Sequence, residues 1–235
     1  MFSPGRNWEQ IRTTICYNDR NVKIGGSHAG ISVGPDGGTH QAIEDMAIMR
    51  VIPRMTVISP CDSIEAKKAT IAAAKMVGPV YIRLAREKTP IITTEDTPFE
   101  IGKAQIFFES NKPVVAIVAT GALVHKALVV ANELEKEGKG TIVVNLATIK
   151  PFDEKMLLEV AKRTGKVVTV EEHQAKGGMG SAVAEYLSQN YPVQMKIVGV
   201  NDQFGQSGTQ DQLLEHYHLD TKSIKNAVLK LIENS

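Results

Sequence analysis

The sequence is poor in aromatic residues and carries almost no net charge. Aromatic residues make up 5% of the 235 residues, and Trp8 is the only tryptophan. A surface on which nucleic-acid bases stack needs several aromatic side chains. The 27 basic and 26 acidic residues give a net charge of +1, which creates no field that would attract a polyanion. Nucleic acid is therefore not an expected partner.

Cysteine and long apolar runs are also scarce. Cys16 and Cys61 are the only cysteines, and their spacing matches no common metal or redox motif. We therefore expect reduced thiols in a cytoplasmic protein. The first residues lack the apolar segment of a signal peptide. The longest apolar runs, such as 114–119, are too short to span a bilayer, so a membrane is not an expected partner either.

The hydrophobic pattern predicts two α/β units. Short β-branched segments alternate with helical patterns of about ten residues or more, which favours parallel sheets with crossover helices. Helices are predicted over 40–51 and 154–163, the second with Asp153 as its N-cap and Gly165 as its stop. We therefore predict an α/β protein of two successive units, each with a mainly parallel sheet flanked by helices.

A change in composition separates the two units. Residues 87–112 are polar and interrupted by prolines, which is typical of an exposed connector. We place the first unit at 1–97 and the second at 98–235, with 98–112 as the connector. The first unit begins without an opening strand, and we expect that an earlier part of the protein is missing.

A glycine-rich loop over residues 26–40 follows a predicted strand and contains His28, Asp36 and His40. Loops at the carboxyl ends of parallel strands line the ligand crevice. Two histidines and a carboxylate there could supply acid–base chemistry near neutral pH. The same residues also fit a surface loop with a turn at Asp36 and a helix cap at His40. The spacing of the glycines matches neither common phosphate-binding fingerprint.

Two arginines lie at the end of the strand predicted over residues 80–84. Arg83 and Arg86 could hold a phosphate or carboxylate through their planar guanidinium groups. A solvated charge cluster is the alternative, and the pattern alone favours it.

Other polar and glycine-rich segments have weaker signals. The glycines of 177–180 and 205–208 are predicted to allow tight turns and close packing, in preference to anion binding. Glu171, Glu172 and His173 form a third polar cluster at a strand end. The sequence assigns no specific role to these three residues.

Several of these segments together resemble one family. Residues 21–41, 44–62, 82–86 and 204–208 resemble the transketolases, and the block Gly34-Pro-Asp-Gly-Gly-Thr-His40 is the most specific part. The resemblance covers essentially the whole chain. It implies the later part of a pyrimidine-binding domain, truncated at its start, followed by a transketolase C-terminal domain.

The resemblance implies a transferase of the pentose phosphate pathway that uses thiamine diphosphate with magnesium. Such an enzyme moves a two-carbon ketol unit from a ketose phosphate to an aldose phosphate. The activating glutamate and the ligands of the diphosphate and metal are expected in an N-terminal part that this sequence lacks. An N-terminal transketolase subunit or section is therefore the implied partner, in a homodimer or heterotetramer. The chain by itself is expected to be inactive and to contain no metal ligands.

The resemblance also implies roles for five residues. His28 would contact the substrate near the cleaved bond, and Asp36 would recognise the hydroxyl beside the acceptor aldehyde. His40 would lie at the cofactor aminopyrimidine and aid proton transfer. Arg86 would hold the substrate phosphate, and Phe2 would pack on the pyrimidine ring.

Related enzymes with the same cofactor remain as alternatives. Deoxyxylulose-phosphate synthase has an Asp-Arg-Ala-Gly block where this chain has residues 27–30, Ser-His-Ala-Gly. The beta subunits of 2-oxo acid dehydrogenases lack the Asp-Gly-x-Thr-His run. Both differences favour transketolase. A non-catalytic assembly subunit is the alternative from a different class of protein.

Overall fold

Two β-sheets organise residues 1–233, the part of the chain that the computed structural model describes. The first part of the chain contains α1 (Phe2–Gly5), α2 (Trp8–Gln10), a π-helical segment (Ile11–Tyr17), β1 (Lys23–Gly26), a 3₁₀ segment (Ile31–Asp36), α3 (Asp45–Arg50), β2 (Thr56–Ile58), α4 (Ser63–Lys75) and β3 (Val80–Arg83). The second part contains β4 (Gln105–Glu109), β5 (Pro113–Ala119), α5 (Leu123–Lys136), β6 (Gly140–Asn145), β7 (Thr148–Lys150), α6 (Glu154–Thr164), β8 (Lys166–Gln174), α7 (Met179–Asn190), β9 (Gln194–Val200), α8 (Gln210–His216) and α9 (Thr221–Glu233).

Both sheets are mainly parallel. The strand order is β1-β3-β2-β7 in the first sheet and β4-β6-β5-β8-β9 in the second. The pairs β2–β7 and β4–β6 are antiparallel, and all the other pairs are parallel. The prediction of two α/β units flanked by helices is therefore confirmed. Within residues 1–233, no helix combines the length and apolar character needed to cross a membrane.

Helices cover both faces of the second sheet. Along β5, Ile117 packs into a core with α5 and α9, and Val118 packs on the opposite face with α6 and α7. Successive side chains point to opposite faces of a strand, so a strand with helices on both sides is apolar at every position. The core that contains Val118 also includes Met46 and Met49 of α3. The two units are thus joined through a shared hydrophobic core.

The capping prediction for α6 is confirmed, and two other predictions need correction. The Asp153 carboxylate accepts the Met156 N–H at 3.1 Å, and Gly165 ends the helix with φ +67°. The helix predicted over 40–51 is shorter, because α3 begins at Asp45 and the residues before it form turns. The predicted exposed connector contains β4, which pairs with β6.

One strand also lies apart from its neighbours in the sequence. β7 follows the second sheet's β6 in the chain but pairs with β2 in the first sheet. A strand of three residues is too short to show a hydrophobic period. The sequence therefore did not indicate this link between the sheets.

Asp62 connects α4 to the segment that leaves the first sheet. Its carboxylate accepts N–H groups from Glu65 at 2.8 Å, Ile92 at 2.8 Å and Thr93 at 2.7 Å. Burial by itself raises the pKa of Asp62, but these donors hold that pKa below its ordinary value. The ionised carboxylate is therefore the form that stabilises this junction.

Replacing Asp62 with alanine is expected to lower the free energy of unfolding by about 2 kcal/mol, because a helix cap is lost and buried N–H groups lose their acceptor. The lowered pKa adds a pH dependence, since a carboxylate with a depressed native pKa stabilises above its unfolded pKa and loses that effect as the pH falls. Urea denaturation at pH 7 and below pH 4 measures both effects. The difference from wild type should shrink in acid, and a loss that stays constant with pH would contradict the explanation.

Candidate functional site

The carboxyl ends of β1 and β3 meet at one edge of the first sheet. Gly26 of β1 lies opposite Arg83 of β3 in the parallel register. The Leu84 N–H donates to the Gly26 carbonyl at 2.8 Å, and the Ala29 N–H donates to the Leu84 carbonyl at 3.1 Å. The segment after β1 and the segment after β3 therefore lie side by side. His28, in the first of them, has a left-handed backbone with φ +61°.

The glycine-rich loop folds back over this edge. It turns at Gly30 with φ +85°, continues through the 3₁₀ segment and turns again at Gly37 with φ +75°. These are left-handed backbone angles, which glycine adopts without steric cost. The Gly30 N–H donates to the Ala42 carbonyl at 2.7 Å, so the start of the loop lies beside the residues that follow it. The glycines thus bring Asp36 back towards His28.

Four of the five residues whose roles the family resemblance implies line one cavity. Phe2, His28, Asp36 and His40 surround a space of about 290 Å³. The Phe2 and His40 rings meet edge to face, with their centroids 5.1 Å apart, a favourable geometry for aromatic rings. The cavity therefore combines an aromatic wall with two imidazoles and a carboxylate.

Arg86, the fifth residue, lies beside this cavity without lining it. Its guanidinium is 3.6 Å from the Asp36 carboxylate and 3.8 Å from that of Glu87, with 35% of the side chain exposed. It also donates a hydrogen bond to the Val33 carbonyl. An exposed ion pair of this kind is weak, so the guanidinium can exchange these partners for an anionic group of a ligand.

Arg83 differs from Arg86 because it is buried and paired with a carboxylate. Its side chain is 7% exposed, and its Nε donates to the Asp45 carboxylate at 2.8 Å. Its Nη2 donates to the carbonyls of Ala42 and Glu172. Both arginines border a cavity of about 450 Å³, but only Arg86 is exposed enough to exchange its present partners for a ligand. The sequence could not separate them.

The cluster of Glu171, Glu172 and His173 is also buried. The Glu171 carboxylate accepts the N–H groups of Met179 at 2.6 Å and Gly180 at 2.8 Å, at the start of α7. The His173 Nε2 accepts the N–H of Ala47 in α3 at 3.3 Å.

Glu172 points in a third direction, to the glycine-rich loop, where it accepts the Ser32 N–H. Burial raises the pKa of Glu171 and of Glu172. The sequence signal for these connections was a run of three polar residues directly after an apolar strand. That signal indicates burial of polar groups but does not identify their partners.

Comparison with known families assigns both units. Residues 1–91 match the pyrimidine-binding domain of transketolase, and residues 102–224 match the transketolase C-terminal domain. The chain therefore belongs to the transketolase family.

Its relatives include separate transketolase subunits. It is 43% identical over 233 residues to a Methanocaldococcus jannaschii protein named as the C-terminal section of a transketolase, and the match covers 98% of this chain and 72% of that protein. It is also 43% identical over 232 residues to the 6-deoxy-6-sulfo-D-fructose transketolase subunit SqwH of a Clostridium species, covering 99% of this chain and 71% of the relative.

A solved structure supports the same assignment. The chain aligns with a split-gene transketolase, described as an inactive β4 tetramer, with a TM-score of 0.92 and 46% identity. The alignment covers 99% of this chain and 74% of the other. At this identity the likeness extends beyond the fold to the sequence that builds it.

Proposed function

We propose that this chain is the C-terminal section of a thiamine-diphosphate-dependent transketolase. The enzyme transfers a two-carbon ketol unit from a ketose phosphate to an aldose phosphate, as in the pentose phosphate pathway. The observation that carries the proposal is the single cavity lined by Phe2, His28, Asp36 and His40 in a chain of the transketolase family.

The residues at this cavity fit one end of the cofactor. The Phe2 ring is 44% exposed and stands next to His40, so an aminopyrimidine ring can pack against Phe2 within reach of the imidazole. For the other end of the cofactor, residues 1–233 contain no three His, Cys, Asp or Glu side chains arranged to hold a metal ion. We assign the diphosphate and its magnesium to the N-terminal partner. The bound cofactor supplies a nucleophilic carbon, which the side chains of this chain lack.

The remaining side chains would bind and orient the sugars. The His28 imidazole can donate to or accept from a hydroxyl near the bond that breaks, and the Asp36 carboxylate can accept a hydroxyl proton from the acceptor. His40 can hold or move a proton at the aminopyrimidine. The Arg86 guanidinium can hold a phosphate with two parallel hydrogen bonds.

An N-terminal transketolase subunit is the proposed partner. The relatives that match this chain over most of their length are themselves named as a C-terminal section and as a subunit, and the related split-gene structure is described as an inactive β4 tetramer. We propose that this chain forms a heterotetramer with its partner. Two buried free thiols, Cys16 and Cys61, support a reducing, cytoplasmic location.

Removing the Arg86 guanidinium tests the function. In a complex with the N-terminal subunit from the same organism, Arg86→Ala is expected to raise the KM for phosphorylated sugars by about tenfold to a hundredfold, since a charged hydrogen bond contributes about 1.5–3 kcal/mol. The KM for unphosphorylated analogues should change little. Steady-state assays of ketol transfer with both substrate types provide the measurement.

Arg54→Ala is the matched control. Arg54 is an exposed arginine whose ion-pair distance to Asp19 is 3.8 Å, close to the 3.6 Å between Arg86 and Asp36. We expect no change in either KM for this variant. If Arg86→Ala raises the KM equally for phosphorylated and unphosphorylated substrates, Arg86 has a structural role instead. A complex that assembles and binds cofactor but transfers no ketol unit would instead support a non-catalytic assembly subunit.

A further inference from the structure

We infer that Glu172, in the second α/β unit, is a positioning residue that holds residues 30–38 of the glycine-rich loop in the first unit. This inference rests on the proposed function, because that part of the loop carries Asp36 and lies between His28 and His40. It assigns to the second unit a part in building the site where the sugar binds.

The first observation is the contact itself. The Glu172 side chain is buried, and its Oε1 accepts the Ser32 N–H at 2.6 Å. A hydrogen bond to a carboxylate is shorter and stronger than one between neutral groups. A Cβ atom placed on Gly30 would lie 2.1 Å from the same oxygen. The loop therefore approaches the carboxylate more closely than any residue with a side chain would allow.

The backbone of Glu172 is itself held in place. The Glu172 carbonyl accepts a hydrogen bond from Arg83 at 2.8 Å, and Arg83 is bound to Asp45. The pairing of β8 with β9 is irregular between Val170 and Gln174. Irregularities of this kind re-aim side chains at functional sites. Here the irregular stretch allows Glu171, Glu172 and His173 to reach different elements.

A second part of the same unit packs against the loop. The Gln41 side-chain amide donates to the Ile31 carbonyl in the loop and to the Gln206 carbonyl in the second unit, both at 2.9 Å. A Cβ on Gly37 would lie 2.6 Å from the Ser207 hydroxyl. Residues 30–38 are thus enclosed between Glu172 on one side and 205–208 on the other.

Loss of the Glu172 carboxylate would remove the contact that holds residues 30–38 on one side. The buried Ser32 N–H would lose its acceptor, and the backbone that leads to Asp36 could move. Asp36 lies 3.6 Å from Arg86, so a shift of the loop also changes the place where the phosphate is proposed to bind. A misplacement of about 1 Å can lower a rate by about a hundredfold.

Glu171 provides a matched control on the neighbouring position. Its side chain is as deeply buried, and its carboxylate also accepts backbone N–H groups, but from Met179 and Gly180 within the second unit. A general effect of losing a buried carboxylate should appear in both alanine variants. An effect on the loop should appear only in Glu172→Ala.

Hydrogen exchange of the chain itself tests the contact without requiring activity. In Glu172→Ala the amides of residues 30–38, apart from Pro35, which has no N–H, are expected to exchange about tenfold to a hundredfold faster, because the buried Ser32 N–H loses its acceptor. Glu172→Gln keeps a carbonyl acceptor and should recover part of the protection. Glu171→Ala should speed exchange at the start of α7 and leave the loop unchanged.

Kinetics of the complex with the N-terminal subunit test the consequence. Glu172→Ala is expected to lower kcat by about tenfold to a hundredfold, with cofactor affinity unchanged and Glu172→Gln in between. Unchanged exchange in the loop would overturn the inference, and so would a loosened loop with unchanged kcat. If Glu172→Ala does not fold, hydrogen exchange and kcat of Glu172→Gln test the inference in its place. A wild-type complex without ketol transfer would refute the proposed function, while exchange still shows whether Glu172 holds the loop.

Discussion

Replacing Arg83 with alanine is expected to lower the free energy of unfolding by about 3–5 kcal/mol, the cost of removing one partner from a buried ion pair. The Asp45 carboxylate would remain buried, at 2% exposure, without its cation. The carbonyls of Ala42 and Glu172, which accept hydrogen bonds from Arg83, would also lose a donor. Because those carbonyls belong to different units, we expect the loss to weaken the junction between them. Chemical denaturation at pH 7 measures the change.

The effect of this substitution should depend on pH. Burial by itself raises the pKa of Asp45, but the charge of Arg83 and the hydrogen bonds from Arg83 and Tyr81 hold it below its ordinary value. A carboxylate with a depressed native pKa stabilises the protein above its unfolded pKa, and this effect is lost as the pH falls. The stability difference between wild type and Arg83→Ala should therefore shrink in acid.

Arg86→Ala is the control for the stability measurement. Arg86 lies three residues further along the chain, but its side chain is 35% exposed and its carboxylate partners are 3.6 and 3.8 Å away. Exposed pairs contribute about 1 kcal/mol or less. A loss for Arg86→Ala as large as that for Arg83→Ala would contradict the distinction between a buried structural arginine and an exposed arginine that we propose binds a ligand.

The second large effect concerns the cofactor. This chain by itself is expected to show no micromolar binding of thiamine diphosphate, and its complex with the N-terminal subunit is expected to bind it. A stacked aromatic ring such as Phe2 contributes about 1 kcal/mol beyond its burial, whereas micromolar affinity requires about 8 kcal/mol. The diphosphate and its magnesium are proposed to bind to the N-terminal subunit, so this chain alone would lack their contribution.

Isothermal titration with thiamine diphosphate and magnesium chloride provides the measurement, with the chain alone and with the complex. Phe2→Ala in the complex should weaken binding by about fivefold to tenfold, which corresponds to about 1 kcal/mol. Micromolar binding by the chain alone would contradict the division of the cofactor between two subunits. If Phe2→Ala binds thiamine diphosphate as tightly as wild type, Phe2 does not contact the pyrimidine ring.

Much of the candidate site could be predicted from local sequence. The glycines of the loop indicated a left-handed backbone, and φ is +85° at Gly30 and +75° at Gly37. Strand alternation placed His28 and Arg86 at carboxyl ends of strands, and β1 and β3 are indeed parallel neighbours. These predictions succeeded because backbone preference and hydrophobic period depend on a few consecutive residues.

The helix limits were less accurate where the backbone was irregular. A helix is predicted over 40–51, but α3 begins only at Asp45 and the residues before it form turns. The connector predicted to be exposed contains β4, whose Phe108 packs against the core of the second unit. In both places a contact distant in sequence overrode the local pattern.

The sequence by itself determined the two α/β units, the family and the cluster of His28, Asp36 and His40 in one loop. Only the tertiary structure decided that Arg83 is internal while Arg86 faces solvent. It also placed Glu172 against Ser32, 140 residues away in the chain. The physical reason is that hydrophobic period and turn residues describe how a segment folds locally. The partner of a buried charge depends on how separate segments pack together.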